Sequence, residues 1–265
     1  MRESYAPVIL ERKTKHLRKQ TGNPHLRSKL DPDLKGAAYF IEAIIRPLRM
    51  LVLSPAVLCL SIYIGLCFGC LYLMFTTFSY VFTEVYHFSI GTDGLTFLGM
   101  GTGSLIALIL VGAFSDRILR YKTLHSPTPN ELKPEYRLLP MLFGAPFIPI
   151  GLFWYGWSVQ AHTHWIVPIL GTVWIGFGFL IITFAVQMYL VDAFTRYAAS
   201  ALAATTILRS LMGALLPLAG RQMYVKLGYG WGNSLLAFLT AAMVPIPWLF
   251  YRYGERLRKK RTFEF

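Results

Sequence analysis

Arg209 lies in the middle of the otherwise uncharged stretch from Ala199 to Gly220, with Thr205, Thr206 and Ser210 within about one helical turn. If that stretch crosses a bilayer, an arginine at its centre costs roughly 2.5 to 3.5 kcal/mol on insertion scales, so it must face protein or a water-filled cavity. Two roles are open to it: contact with a substrate or gating partner, or hydrogen bonding to carbonyls of neighbouring helices. Asp192 and Arg196, spaced i, i+4, suit a local ion pair or a gate element at a helix end. His162 and His164 form an HxH with no carboxylate or cysteine nearby and read as surface residues, not metal ligands. Cys67 and Cys70 form a CxxC, but in hydrocarbon the reactive thiolate is disfavoured, and no second cysteine pair or histidine cluster accompanies them. With no nucleophile motif, phosphate loop or paired catalytic carboxylates, the chain is not read as an enzyme, and no cofactor is expected.

The elements that must position these residues are set by hydropathy. The chain has 265 residues, is 55% hydrophobic and only 15% charged, and carries a formal net charge of +13. In a soluble chain that charge would suggest nucleic acid. Here the basic residues flank long uncharged runs such as Met50 to Thr83, which makes anionic lipid the expected partner and excludes nucleic acid. A helix of about 20 apolar residues satisfies its own backbone in a solvent without water. Six such spans are expected: Pro55 to Tyr80, Leu95 to Phe114, Leu138 to Trp157, Trp165 to Leu190, Ala199 to Gly220, and Asn233 to Tyr251. Trp157 and Trp165 bracket a polar break and place it at a headgroup layer.

The remaining segments complete the domain plan. Residues 1–33 form a basic cytosolic segment, residues 34–54 an interfacial amphipathic helix and lead-in with Pro47 as its expected end, residues 55–251 the bundle, and residues 252–265 a basic tail. With the amino terminus in the cytosol, the inside segments hold every Lys and Arg except Arg209, Arg221 and Lys226, so both termini are expected to be cytosolic. Small residues at helical spacing, Gly99, Gly103 and Ala107 in the second span and Ser200, Ala204, Ser210 and Ala214 in the fifth, allow close helix approach.

The end of the second span reads Gly112-Ala113-Phe114-Ser115-Asp116-Arg117-Ile118-Leu119-Arg120-Tyr121-Lys122. It resembles the GxxxDRxGRR loop motif of the major facilitator superfamily, with Leu119 in place of the second glycine and Tyr121 in place of a basic residue, departures that suit the weaker second copy of that motif. On this reading Gly112 lets a neighbouring helix approach, Asp116 pairs with a cation or caps a helix, and Arg117 and Arg120 stay at the cytosolic surface. Such a charge pair can latch one state of a rocking bundle. The alternative reading is a solvated positive-inside loop.

Longer segments extend the resemblance over nearly the whole chain. Arg46-Pro47-Leu48-Arg49-Met50, Pro134-Glu135-Tyr136-Arg137-Leu138, Gly144-Ala145-Pro146-Phe147-Ile148-Pro149-Ile150-Gly151, Tyr189-Leu190-Val191-Asp192-Ala193-Phe194, the run from Tyr197 to Ala204, and Gly228-Tyr229-Gly230-Trp231-Gly232-Asn233 are similar to the carboxy-terminal half of fungal multidrug and polyamine exporters. These belong to the twelve-helix drug:proton antiporter branch. The resemblance implies an all-α membrane protein whose six-helix bundle corresponds to helices 7 to 12. It also implies that helices 7, 8, 10 and 11 face a central cavity, making Tyr63, Tyr72, Phe75, Phe184, Gln187 and Tyr189 candidate wall residues beside Thr205 and Arg209. Aromatic walls suit amphipathic or cationic drugs.

The expected function is therefore export of small organic molecules across a fungal plasma membrane by alternating access, with protons as the implied counter-substrate. The expected partners are the bilayer and either an amino-terminal half or a second copy. The alternative is a truncated, inactive product or a partner-binding membrane fragment.

Overall fold

A computed structural model describes residues 6–23, 25–27, 37–89, 91–124 and 134–259, and all the regular structure among them is helical. The first five residues and the end of the basic tail from Lys260 lie outside the described residues. The chain divides into two units, residues Met1–Arg46 and Pro47–Phe265.

In the first unit the polar basic segment forms a helix that hydropathy did not anticipate, α1 (Ala6–Thr21). Local pairing supports it, with Glu11 bonded to Lys15 one turn on at 2.7 Å. Gly22, at a φ of 66°, ends it, and Arg18 Nε donates to the Leu26 carbonyl at 2.7 Å. The interfacial helix is α2 (Ala37–Leu53), and Pro47 lies inside it instead of ending it. The break comes at Ser54, which adopts the extended conformation favoured before a proline and whose hydroxyl accepts from the Val57 amide at 3.5 Å. Pro55 then starts the next helix at a position whose missing N–H has no intrahelical partner to lose.

That helix, α3 (Pro55–Tyr86), runs a turn and a half past the expected end, held by the burial of Val81 and Phe82; His87, in the left-handed conformation, stops it. The chain returns as α4 (Phe97–Leu124), whose Phe97 packs on Phe75 and Phe78 near the far end of α3. The third crossing is broken into a 3₁₀ turn (Pro134–Leu138), α5 (Leu139–Gly144) and α6 (Phe147–Gln160). Pro149 has no N–H to offer the Ala145 carbonyl, which accounts for the interruption there. Next come α7 (Ile166–Ala193), α8 (Ala198–Met243) and α9 (Pro245–Lys259).

Helix directions follow from which residues meet. Gly99 and Gly103 of α4 lie against Ile169 and Val173 of α7, so these helices run parallel, and a methyl group at Gly103 would collide with the Val173 carbonyl. Gly144 and Gly151 of the third crossing meet Ile181 and Ile175 of α7 in reverse order, an antiparallel pair. Gly65 and Gly69 of α3 meet Met212 and Leu216 of α8, a parallel pair.

Among the described residues, five helical stretches are long and apolar enough to cross a membrane, the last from Ala198 to Gly254. At 1.5 Å per residue α8 alone would be about 70 Å long, over twice the hydrocarbon thickness. It is not one rod: Gly228 breaks it at a φ of 73° and ψ of 174°. Residues 198–227 lie parallel to α3, whereas beyond the break Asn233 and Phe238 lie antiparallel to α6 against Gly156 and Phe153. Because α3 and α6 themselves run in the same direction, α8 reverses at Gly228, and the described residues make six crossings. An even number returns the chain to the side from which α3 set out. Among the side chains filling the middle of the bundle are Tyr63, Phe78, Phe82, Tyr155 and Tyr189.

Candidate functional site

One face of α3 differs from the rest of that helix. Phe68, Tyr72, Phe75, Thr76, Ser79 and Thr83 recur every three or four residues and are half-buried or exposed, whereas the opposite face is packed. A helix surface facing lipid needs aliphatic groups, as on α4, where Leu105 and Ile109 are 60% and 70% exposed. Aromatic and hydroxyl groups suit contact with water or a ligand. Neighbouring helices widen the stripe: Phe97 of α4 lies 5.5 Å from Phe75, and Phe179 of α7 lies 6.0 Å from Phe68. Phe68 and Tyr72 are 4.4 Å apart.

Arg209 sits at this stripe. The parallel packing of α3 on α8, made close by Gly65 and Gly69, places its Cζ 4.8 Å from the centre of the Phe68 ring. The ring face offsets part of the cost of an arginine at this depth. Its Nε is buried without a hydrogen-bond partner among the described residues. A second pair repeats the pattern, with Arg221 Cζ 5.7 Å from the Tyr80 ring.

The other candidate wall residues divide. Tyr72 and Phe75 belong to the stripe, and Tyr72 is 41% exposed. Gln187 and Phe184 are half-buried on α7. Tyr63 and Tyr189 are 1% and 0% exposed and offer no surface to a ligand here. Thr205 is buried with its hydroxyl donating to the Leu202 carbonyl at 2.8 Å, and Thr206, though exposed, does the same at 2.9 Å. Phe68, Phe97 and Phe179 were not singled out from sequence. For Phe68 the signal was present, one turn before Tyr72; for the other two it was not, because their contacts are between helices.

A charged cluster lies at the end of the bundle where α4 and α7 finish. Arg137 Nε donates to Asp192 Oδ2 at 2.9 Å, and its Nη1 reaches Ser115 Oγ at 3.5 Å. One side chain thus joins the second, third and fourth crossings. The expected Asp192 and Arg196 spacing does not apply: α7 ends at Ala193, and Phe194, with φ −121° and ψ 45°, leaves the helical path before Arg196. The Arg196 and Asp116 side chains lie outside the described residues. Arg117 and Arg120 are exposed near the end of α4, and Arg117 lies 5.9 Å from the Phe114 ring. Gly112 does not mark a close helix approach within this chain, since a methyl group there would meet nothing within 4 Å.

His162 and His164 are exposed at the end of α6, and Cys67 and Cys70 are buried free thiols. Among the described residues no cluster of His, Cys, Asp and Glu could hold a metal ion.

Known proteins with the same pattern exist. The chain is 53% identical over 263 residues, 98% of its length, to the MFS-type transporter tndD of Aspergillus flavipes, covering 48% of that protein. It is 55% identical over 259 residues to the MFS-type transporter atr4 of Stereocaulon alpinum, covering 98% of this chain and 46% of the relative. Against the efflux pump radE of Floropilus chiversii it is 48% identical over 264 residues, covering 100% of this chain and 49% of the relative. The chain thus spans about half the length of the curated relatives it matches. No solved structure matches it. The model of the Major Facilitator Superfamily matches residues 6–217, which hold the loop motif, the aromatic stripe and Arg209, and this multi-pass membrane chain belongs to that superfamily.

Proposed function

We propose that the chain forms the carboxy-terminal, six-helix half of a transporter that exports small organic molecules from a fungal cell across the plasma membrane, with both termini cytosolic. The observation that carries this reading is the stripe of Phe68, Tyr72, Phe75, Thr76, Ser79 and Thr83 beside Arg209: an exposed, aromatic and polar surface on a bilayer-spanning helix. A second six-helix bundle, supplied by an amino-terminal half or a second copy, would cover that surface and close a cavity around it. The four helices that build it, α3, α4, α7 and the first arm of α8, are those the superfamily resemblance assigns to the cavity.

Alternating access needs contacts that form in one state and part in another. The bridge from Arg137 to Asp192 suits that role on the cytosolic side: with the contact to Ser115 it links three crossings, and one side chain holds them together. Proton antiport is the energy source the resemblance implies. No Asp or Glu lies between residues 43 and 83, 94 and 115, 136 and 191, or 193 and 254, so a membrane-embedded proton-carrying carboxylate would have to come from the other half.

The test is efflux of a fluorescent tracer from a drug-sensitive yeast expressing the chain alone, with a helix 1 to 6 half from a relative, or neither. Efflux above empty vector in either expressing strain is expected. Efflux equal to empty vector in both overturns the transport reading and leaves the inactive or partner-binding fragment.

A further inference from the structure

Two arginines stand on aromatic rings of α3, Arg209 on Phe68 at 4.8 Å and Arg221 on Tyr80 at 5.7 Å. In both helices the paired residues are separated by the same number of positions, and because the helices are parallel the two guanidinium groups lie about 18 Å apart along the crossing. Nothing acidic lies near Arg209 on either helix: the sequence has no Asp or Glu between Glu42 and Glu84 or between Asp192 and Glu255, and Glu84, the one acid of α3, lies a turn beyond Tyr80, at the Arg221 end. Arg209 also keeps a buried Nε–H without an acceptor among the described residues. The surface is therefore aromatic, positive and short of one acceptor at mid-depth.

We propose that this site selects organic anions, molecules with an aromatic or amphipathic body and a carboxylate or enolate charge. The inference rests on the transport reading and narrows it. The charge docks on the guanidinium of Arg209, which presents a planar fork of donors to a carboxylate. The body lies along Phe68, Tyr72 and Phe75. A cation of the same shape could stack on the same rings but would bring a like charge beside Arg209, with Glu84, 16 positions beyond Phe68, as the one carboxylate on α3 or α8, and a neutral ester offers the guanidinium an acceptor without the charge. This site thus disfavours the polyamines and cationic drugs to which the sequence resemblance points.

The test uses the full chain in phosphatidylcholine nanodiscs and three probes with one ring system: pyrenebutyrate, its methyl ester, and a pyrenebutyl trimethylammonium. Binding is read as energy transfer from tryptophan to pyrene, with empty nanodiscs as background. Pyrenebutyrate is expected to bind at least tenfold more tightly than either other probe. Arg209→Gln should abolish that preference, and Arg209→Lys should keep part of it. Equal or tighter binding of the cation by the unaltered chain, or no saturable binding of the carboxylate, overturns the proposal without reliance on any variant. Efflux of the same probes from yeast separates the two readings: binding in the expected order without export of any probe would sink the transport reading and leave the charge selection standing.

Discussion

Replacing Gly228 by alanine isolates the physical cause of the sixth crossing. Gly228 has φ 73° and ψ 174°, a region essentially restricted to glycine, so a side chain there costs about 1–3 kcal/mol of strain. The added methyl would also come within 3.0 Å of Gln160 Oε1, the atom that accepts the Gly230 amide at 3.2 Å. Displacing it forfeits a hydrogen bond contributing about 1 kcal/mol. Together the loss is about 2–4 kcal/mol, or roughly a 30- to 700-fold fall in the folding equilibrium constant. Denaturation in mixed micelles can be followed through Trp157 and Trp231, whose rings lie 5.9 Å apart beside the turn. Gly101→Ala is the control, because a methyl there meets nothing within 4 Å in an α-helix, where alanine is favoured by about 1 kcal/mol. Combining Gly228→Ala with Gln160→Ala should cost less than the two separate effects added, since the clash partner has been removed. An unfolding midpoint unchanged by Gly228→Ala, or additive behaviour of the pair, would refute the account of the reversal.

Two further predictions concern the candidate site. Asp192→Ala, which leaves the 18% exposed Arg137 side chain without its carboxylate, should cost about 1–3 kcal/mol, and Arg137→Ala, which leaves the 38% exposed Asp192, less; each should raise thiol-reagent labelling of a cysteine placed at Gln187, and exchanging the two residues should restore the lower rate. Labelling as fast in the exchanged protein as in the single variants would remove the gate role. Tyr189→Ala, at 0% exposure, should destabilise the chain by about 3–5 kcal/mol in thermal unfolding, whereas Tyr72→Ala, at 41%, should cost far less and weaken probe binding instead. Equal destabilisation by the two would show that Tyr72 is a packing residue and not part of a wall.

Much of the fold was legible because the bilayer acts on each residue locally. Ser54 with Pro55 and the bracketing tryptophans at 157 and 165 mark real ends. The failures have physical reasons as well. Hydropathy stopped the first crossing at Tyr80, but helical hydrogen bonding continues until His87 adopts the left-handed conformation. Pro47 looked like a terminator, and α2 absorbs it, because a proline weakens a helix without compelling the preceding residue to leave it. The i, i+4 spacing of Asp192 and Arg196 presumed a helix that ends at Ala193.

By itself the sequence determined that this is a membrane chain, where it crosses, and which residue carries charge to mid-depth, since the cost of burying a charge or an unpaired backbone group is paid residue by residue. Only the tertiary structure decided what that charge sees. Arg209 meets Phe68 because Gly65 and Gly69 let two helices approach in parallel, and Arg137 meets Asp192 across 55 residues of sequence. Those contacts depend on the register between helices, which is set by interdigitating side chains from distant segments and leaves no periodic trace in any one of them.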